Sequence, residues 1–173
     1  MKEQLEVTDL KGNKIGIMNV EVAPCDEKGR EYTEADDKFV DSPDDLVGKN
    51  VSFVFKVQNC RGLPNKYTDM QCKYKIYLNE KDTTTTKISL TSNPDFNHKE
   101  IFKFHPATRQ LVEYLNNGSV VVQVMGKQYV RKSAVARHKG MHTRDLIKSD
   151  RGVFSKYVNY KPTYISTITV ILK

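Results

Sequence analysis

The chain has 173 residues, of which 38% are hydrophobic and 28% are charged, and its formal net charge is +7. This length suits one domain with an appendage, and the composition is that of an ordinary soluble globular protein. No apolar run approaches the roughly 18 residues that a membrane span needs, and the N-terminus is too polar for a signal peptide. Three cysteines without ligand-like spacing argue against a disulfide scaffold. These features argue against a membrane-spanning or secreted disulfide-rich class, and we therefore expect a cytoplasmic protein.

The N-terminal part divides into a strand and an acidic segment. Ile15–Val22 is the candidate first strand, after a turn at Gly12-Asn13. Residues 25–49 are polar and acidic, which is typical of a long loop or linker. We therefore expect residues 1–49 to pack on or lead into a main domain at 50–173, which carries a basic insertion near residues 127–152.

The middle of the chain is predicted to form strands. Apolar and polar residues alternate over Val51–Val57 and over Met70–Leu78, so both segments should be half-buried strands. A turn from Lys81 leads into a short strand ending at Leu90, and Phe102 and Phe104 belong to the next. We expect Phe104 and Ile76 to be buried on facing sheets.

One helix and two strands complete the prediction. Thr108–Asn116 places Leu111, Tyr114 and Leu115 at helical spacing, and Asn117-Gly118 supplies a stop. Val120–Met125 is a continuous apolar run, as in a strand buried on both faces, and Tyr164–Leu172 is the closing strand. Many short strands separated by turn signals predict an all-β antiparallel sandwich with one short helix.

The most informative motif is Thr91–Phe104, TSNPDFNHKEIFKF. Asn93-Pro94 favours a turn, because a residue before proline is pushed out of the helical region, and Phe-rich strand sequence follows. This motif resembles the C2 domain, an eight-stranded antiparallel sandwich. The resemblance implies a module that docks on membranes or proteins and does not catalyse.

A closer resemblance joins further segments in the same order along roughly residues 5–128. Together these segments are similar to the C2-like tail region of the kinesin-3 family of microtubule vesicle motors. They are Arg61–Pro64, Tyr67–Tyr74, the Asn93-Pro94 turn, Leu111–Ser119 and Val124–Gln128. The resemblance implies a tail fragment, cytoplasmic and associated with the cytoskeleton through its parent motor. The chain has no Gly-x-x-x-x-Gly-Lys-Ser/Thr phosphate loop, so we expect no enzyme activity in this part.

Metal and cofactor sites are not expected. Many C2 domains bind calcium through about five Asp carboxylates on two apical loops, and this cation needs six to eight oxygen ligands. Here only Asp69 stands at an expected position, and Met125–Gln128 replaces the second acidic loop, so Asp69 should instead stabilise a turn. His138 and His142 have a metal-like spacing, but basic neighbours and Gly140 argue against a site there.

The charge is unevenly spread. Residues 1–48 carry about twice as many acids as bases, whereas residues 127–161 carry ten bases against Asp145 and Asp150. Such asymmetry points to an electrostatic partner, although a solvated loop is the alternative interpretation. The candidate contact residues for a partner or lipid are Lys127, Arg131, Lys132, Arg137, Lys139, Arg144 and Lys148.

Three partner classes fit this pattern. The first is a protein, either a cargo adaptor or the motor region of the same molecule, whose binding would inhibit the motor. The second is an anionic membrane surface reached by the basic stretch, where each Lys or Arg contributes about 1 kcal/mol. The third is the acidic surface of a microtubule. A purely structural spacer or dimerisation unit is the alternative that needs no such partner. Nucleic acid is not expected, because Tyr129 is the one aromatic residue in the stretch before Phe154. We favour the protein-interaction module, with the membrane module as the alternative.

Overall fold

The computed structural model describes residues 1–36, 38 and 40–127, together with the backbone of residues 128 and 161–171. In chain order the elements are β1 (Lys2–Thr8), β2 (Lys14–Pro24), β3 (Val51–Arg61), β4 (Tyr67–Tyr74), β5 (Thr83–Thr84), β6 (Asp95–Phe104), α1 (Arg109–Asn117), β7 (Ser119–Gln128) and β8 (Lys161–Ile171). Two short 3-10 turns, Glu34–Asp36 and Pro43–Leu46, lie between β2 and β3.

The strands of the described residues form two antiparallel sheets of four. Their orders are β1-β2-β3-β6 and β5-β4-β7-β8. Buried side chains from both sheets share one core, where the rings of Phe55 on β3 and Tyr74 on β4 lie 4.7 Å apart. The antiparallel sandwich with one short helix is thereby confirmed.

The cysteines are core residues. Both of these thiols are fully buried, on β3 and β4, and Cys25 is 2% exposed. All three are free thiols. Burial raises the pKa of the Cys72 thiol well above its ordinary value, with a further contribution from its hydrogen bond to Cys60. The Cys72 thiol therefore remains neutral, and both side chains belong to the packing of the sandwich.

The strand predicted as the first is in fact the second. β1 precedes it and pairs with β2 from Lys2, opposite Glu21, to Thr8, opposite Lys14. The prediction missed β1 because charged residues dominate this segment, and its apolar contribution is limited to half-buried Leu5 and fully buried Val7.

The first half of β3 is covered on both faces, whereas the alternation of apolar and polar residues predicted that one face is open to solvent. Ser52 and Val54 are buried because residues 25–31 fold back over that face. The Cys25 amide donates to the Ser52 carbonyl at 3.0 Å, and Gly29 lies against Ile101 of β6. Gly29 has φ +84°, and a Cβ there would come within 2.4 Å of the Ile101 side chain. The first turns of the acidic segment are therefore part of the packed structure.

Two further strand predictions need correction. β4 ends at Tyr74, because Tyr77 turns the chain with φ +52°, so Leu78 is 74% exposed although it continues the alternation. β7 buries Val120, Val122 and Val124, but Val121 is 40% exposed. The prediction that this apolar run is buried on both faces is therefore wrong, because the outer face of the second sheet is open here.

Phe104 is also less buried than predicted. Ile76 is fully buried, but it follows the end of β4, and Phe104 is only partly buried at the end of β6. The Phe104 ring lies 6.0 Å from Phe53 and 5.9 Å from Tyr77. It therefore links the main core to a smaller cluster under α1.

The helix forms where the sequence predicts it. The Thr108 hydroxyl accepts a hydrogen bond from the Leu111 amide at 3.2 Å, which caps the first turn. Leu111 and Val112 are buried, and Gly118 follows the last turn.

Candidate functional site

The described part of the basic stretch begins at one end of the sandwich. Lys127 lies near the end of β7, and Gln128 pairs with Lys161, so the chain leaves and re-enters the second sheet at the same place. The other candidate contact residues, Arg131, Lys132, Arg137, Lys139, Arg144 and Lys148, lie outside the described residues, as do His138 and His142. Their role remains a prediction.

Three described connections meet at this end, which we call the loop end. The Asp9–Asn13 turn joins β1 to β2, residues 62–66 join β3 to β4, and residues 85–94 join β5 to β6. The strand registers place them together, since Ile17 pairs with Arg61, Asn59 with Asp95, and Tyr67 with Gln128. Gly62 also donates its amide to the Asn93 side chain at 2.8 Å.

Asp69 and Lys127 form an ion pair at the loop end. The Lys127 Nζ lies 2.8 Å from Asp69 Oδ2, and the Ser89 hydroxyl donates to the other carboxylate oxygen. The hydrogen bond from Lys127, followed by that from Ser89, holds the pKa of Asp69 below its ordinary value. Asp69 thus takes part in a fixed polar contact between β4, β7 and the β5–β6 connection.

This arrangement has a direct consequence for metal binding. A divalent cation would need several carboxylate ligands. At this position the ammonium group of Lys127 already neutralises the carboxylate of Asp69. Within the described residues no group of three His, Cys, Asp or Glu side chains is placed to hold a metal ion.

Two leucines project from the loop end into solvent. Leu10 is 74% exposed and Leu90 is 83% exposed. Leu90 also has φ +59°, a left-handed conformation that is rare for a bulky residue. Sequence reasoning missed both residues, although each stands in a polar turn segment, DLKGN or SLTSN, where no apolar periodicity explains it.

The Leu10 turn is fixed by Asp9. One carboxylate oxygen of Asp9 accepts the amides of Lys11 and Asn13 at 2.8 and 2.9 Å, and Gly12 has φ +85°. Such an Asx turn holds Leu10 at its tip, away from the core. The side chains of Lys11, Lys66 and Lys87 are also exposed at this end. The loop end therefore combines apolar tips with positive charge.

His105 lies between Ser52 and Glu27, an order of residue types that resembles a catalytic triad. The Ser52 Oγ lies 3.1 Å from His105 Nε2, but Glu27 Oε1 is 3.9 Å from His105 Nδ1, beyond hydrogen-bond distance. Ser52 is 8% exposed, so its hydroxyl is enclosed. This geometry ties β3 to the end of β6 and does not present a nucleophile to a substrate.

Comparison with known proteins identifies a family and more distant relatives. The family model described as "C2 domain" matches residues 51–151. "Kinesin-like protein KIF28" of Rattus norvegicus is 25% identical over 156 residues, covering 88% of this chain. "Kinesin-like protein KIF28P" of Homo sapiens is 25% identical over 132 residues, covering 74% of this chain. The chain spans only 14% and 13% of the lengths of these two relatives.

Two solved structures also align with this chain. A C2 domain of RIM from Drosophila aligns with a TM-score of 0.45 and 10% identity, covering 91% of this chain and 86% of that one. A CC2D1B chain aligns with a TM-score of 0.45 and 16% identity, covering 88% of this chain and 50% of that one. No helix in the described part of the chain is long and apolar enough to cross a membrane.

Proposed function

Because this chain belongs to the C2 domain family, we propose that it is a calcium-independent protein-interaction module in the tail of a kinesin-3-like microtubule motor. The similarity to kinesin-like proteins over most of the chain supports the parent type. The partner is a cargo adaptor or the motor region of the same molecule.

The observation that carries calcium independence is the ion pair between Lys127 and Asp69. A protein cation already neutralises the one carboxylate at the expected ligand position, and this contact joins β4 to β7. The loop end is therefore held in place without a metal ion.

Thermal melts test calcium independence. A ligand that binds only the folded state raises stability by mass action. We expect the melting temperature to be the same in millimolar calcium chloride, in millimolar magnesium chloride and in a chelator. An upward shift of several degrees with calcium alone would show that the loop end binds the ion.

The tail role is tested in the parent protein. We expect the transcript that encodes this chain to encode a kinesin motor domain as well. Removing residues 1–173 should abolish cargo colocalisation, or raise the microtubule-stimulated ATPase if the domain inhibits the motor. A deletion that changes neither readout, in a protein that still binds microtubules, would contradict the proposal.

A membrane module is the second candidate, and the exposed Leu10 and Leu90 at the lysine-bearing loop end favour it. Apolar tips insert at a bilayer surface, and exposed lysines attract anionic headgroups. We expect weak binding to liposomes with acidic lipid, lost at physiological salt through screening.

Replacing both leucines by serine should abolish that binding, whereas Leu78→Ser at the opposite end should not. Equal binding by the double variant would exclude the loop end as the contact.

A further inference from the structure

A groove of about 340 Å³ opens on the outer face of the second sheet, far from the loop end. It runs between β4, β7 and the end of α1. Its lining includes Lys73, Lys75, Tyr77, Tyr114, Val121 and Gln123. Lys73 on β4 pairs directly with Gln123 on β7, so the floor is a continuous piece of sheet.

One end of the groove is aromatic and apolar. The rings of Tyr77 and Tyr114 lie 5.2 Å apart, and the Tyr114 hydroxyl donates to the Ser119 carbonyl at 3.3 Å. Val121, 40% exposed, lines the groove as well. This end offers a surface against which an apolar side chain can pack.

Tyr77, at the aromatic end of the groove, has an energetically unfavourable backbone conformation. Its φ of +52° lies in the left-handed region, which a bulky aromatic residue rarely occupies. The same turn leaves Leu78 74% exposed just after it. Strain of this kind persists where the surrounding structure enforces it, and it clusters at binding sites.

The groove carries a small positive charge. Lys73 Nζ is bound to Asp82 at 2.8 Å, which neutralises that pair. Lys75 is exposed and forms no ion pair within the described residues. A single ammonium group matches one carboxylate at a time. A multiply charged phosphate headgroup would call for a cluster of such groups.

We infer that this groove binds an extended acidic peptide that also carries an aromatic or aliphatic side chain. The apolar side chain packs against Tyr77, Tyr114 and Val121, and a neighbouring carboxylate pairs with Lys75. The Gln123 amide can bond to the peptide backbone. This inference rests on the proposed function, because it assigns a surface and a chemistry to the protein partner.

Fluorescence anisotropy with defined peptides tests the inference on the full chain. The probe is a fluorescein-labelled Glu-Glu-Phe-Glu-Glu peptide, compared with Gln-Gln-Phe-Gln-Gln and Glu-Glu-Ser-Glu-Glu. We expect the first to bind at least several-fold more tightly than either comparison peptide. Loss of the carboxylates removes the partner of Lys75, and loss of the phenyl ring removes the apolar contact.

Charge variants of the groove should act in opposite directions. Lys75→Glu should weaken binding about tenfold, the effect of losing one strong contact. Asp82→Asn should strengthen binding, because it removes the negative charge beside Lys73. Lys103→Glu is the matched control, since Lys103 is an exposed lysine on the other sheet, and it should leave affinity unchanged. Melting temperatures verify that each variant is folded.

Three outcomes would overturn the inference. In the first, the three peptides bind equally well. In the second, Lys75→Glu and Lys103→Glu have equal effects on peptide binding. In the third, anionic vesicles bind through Lys75 but the peptide does not. If any of these occurs while deletion of the domain from the parent still abolishes cargo colocalisation, the groove assignment falls and the tail function stands. If that deletion has no effect but the peptide binds as expected, the groove is a binding site whose use lies outside a motor tail.

Discussion

Asp69 is held in an internal polar contact at the loop end. Its φ is +49°, a conformation that aspartate tolerates better than most residues. Its carboxylate accepts from Lys127 and from Ser89, which together lower its pKa. The sequence predicted that Asp69 stabilises a turn, whereas it lies within β4, at an irregularity of the pairing with β7. Its partner, Lys127, belonged to the predicted basic contact set. The pairing of Asp69 with Lys127 could not be predicted, because the register shift between Thr68 and Gln71 decides which β7 residue lies opposite.

Replacing Asp69 should change how stability depends on pH. The folded-state pKa lies below the unfolded value of about 3.9, so the ionised carboxylate contributes stability above that pH. This contribution is lost as the pH falls through the folded-state pKa. We expect Asp69→Asn to be less stable than the natural chain at neutral pH, with a smaller difference at about pH 3. Urea melts across this range provide the measurement.

Asp41→Asn is the control for this series. Asp41 is exposed and forms no ion pair within the described residues, so its replacement should leave the urea midpoints nearly unchanged. A loss of stability for Asp69→Asn that is the same at acidic and neutral pH would mean that the effect is steric and does not come from the charge.

His98 gives a second pH dependence with the same sign. Its Nε2 lies 2.9 Å from the Tyr74 hydroxyl, so the bond joins the two sheets. Burial lowers the pKa of His98, and nearby Glu100 opposes this only in part. The unfolded chain therefore takes up a proton more readily, and stability falls as the pH drops below about 6.5. In NMR titrations the His98 ring protons should titrate below that value; a midpoint above it would show that the folded protein favours the charged ring.

At the scale of elements, local signals predicted α1 and the inner faces of β3, β4 and β7. The Thr108 cap, the helical spacing of Leu111 and the alternation through Met70 and Cys72 are properties of short segments. The errors arise where distant segments decide burial. Val54 is buried because residues 25–31 cover it, and Val121 is open because nothing described covers the outer face of the second sheet there.

Two phenylalanines should therefore differ in their contribution to stability. Phe55 is fully buried and contacts Tyr74, so Phe55→Ala should cost about 3–5 kcal/mol. Phe104 is only partly buried, so Phe104→Ala should cost clearly less, because its surroundings can relax and part of its surface already meets water. Chemical denaturation gives both free energies of unfolding. A larger loss for Phe104 would place the main core at the α1 end of the sandwich.

Over the whole molecule, the sequence predicted that charge is segregated, but it did not predict the surfaces on which that charge is used. It selected Lys127 and the basic stretch, whereas the described structure adds Leu10 and Leu90 at the same end and a separate groove around Lys75. Leu10 and Leu90 lie in two connections that are remote in sequence, and the groove is lined by β4, the residues that follow it, β7 and α1. Only the pairing of strands brings them together, so no local pattern could have shown which of them share a surface.

The N-terminal hairpin should be part of the folding unit, although the C2 family match begins at residue 51. β2 pairs with β3 from Ile17 to Pro24, and the core includes Val7, Met18 and Val20, all nearly or fully buried. Removing residues 1–24 would take away two of the four strands of the first sheet. It would expose the apolar inner face of β3 and leave its edge unpaired.

We therefore expect a chain of residues 25–173 to lose its cooperative thermal transition and to bind a hydrophobic dye, because the remaining core is open to water on one side. Adding a synthetic peptide of residues 1–24 should restore the transition, since β1 and β2 form one hairpin that can pair with β3 as a unit. If the shortened chain instead melts cooperatively at an unchanged temperature, residues 1–24 are an appendage. The folding unit would then begin near residue 50, at the boundary that the composition of the acidic segment predicts.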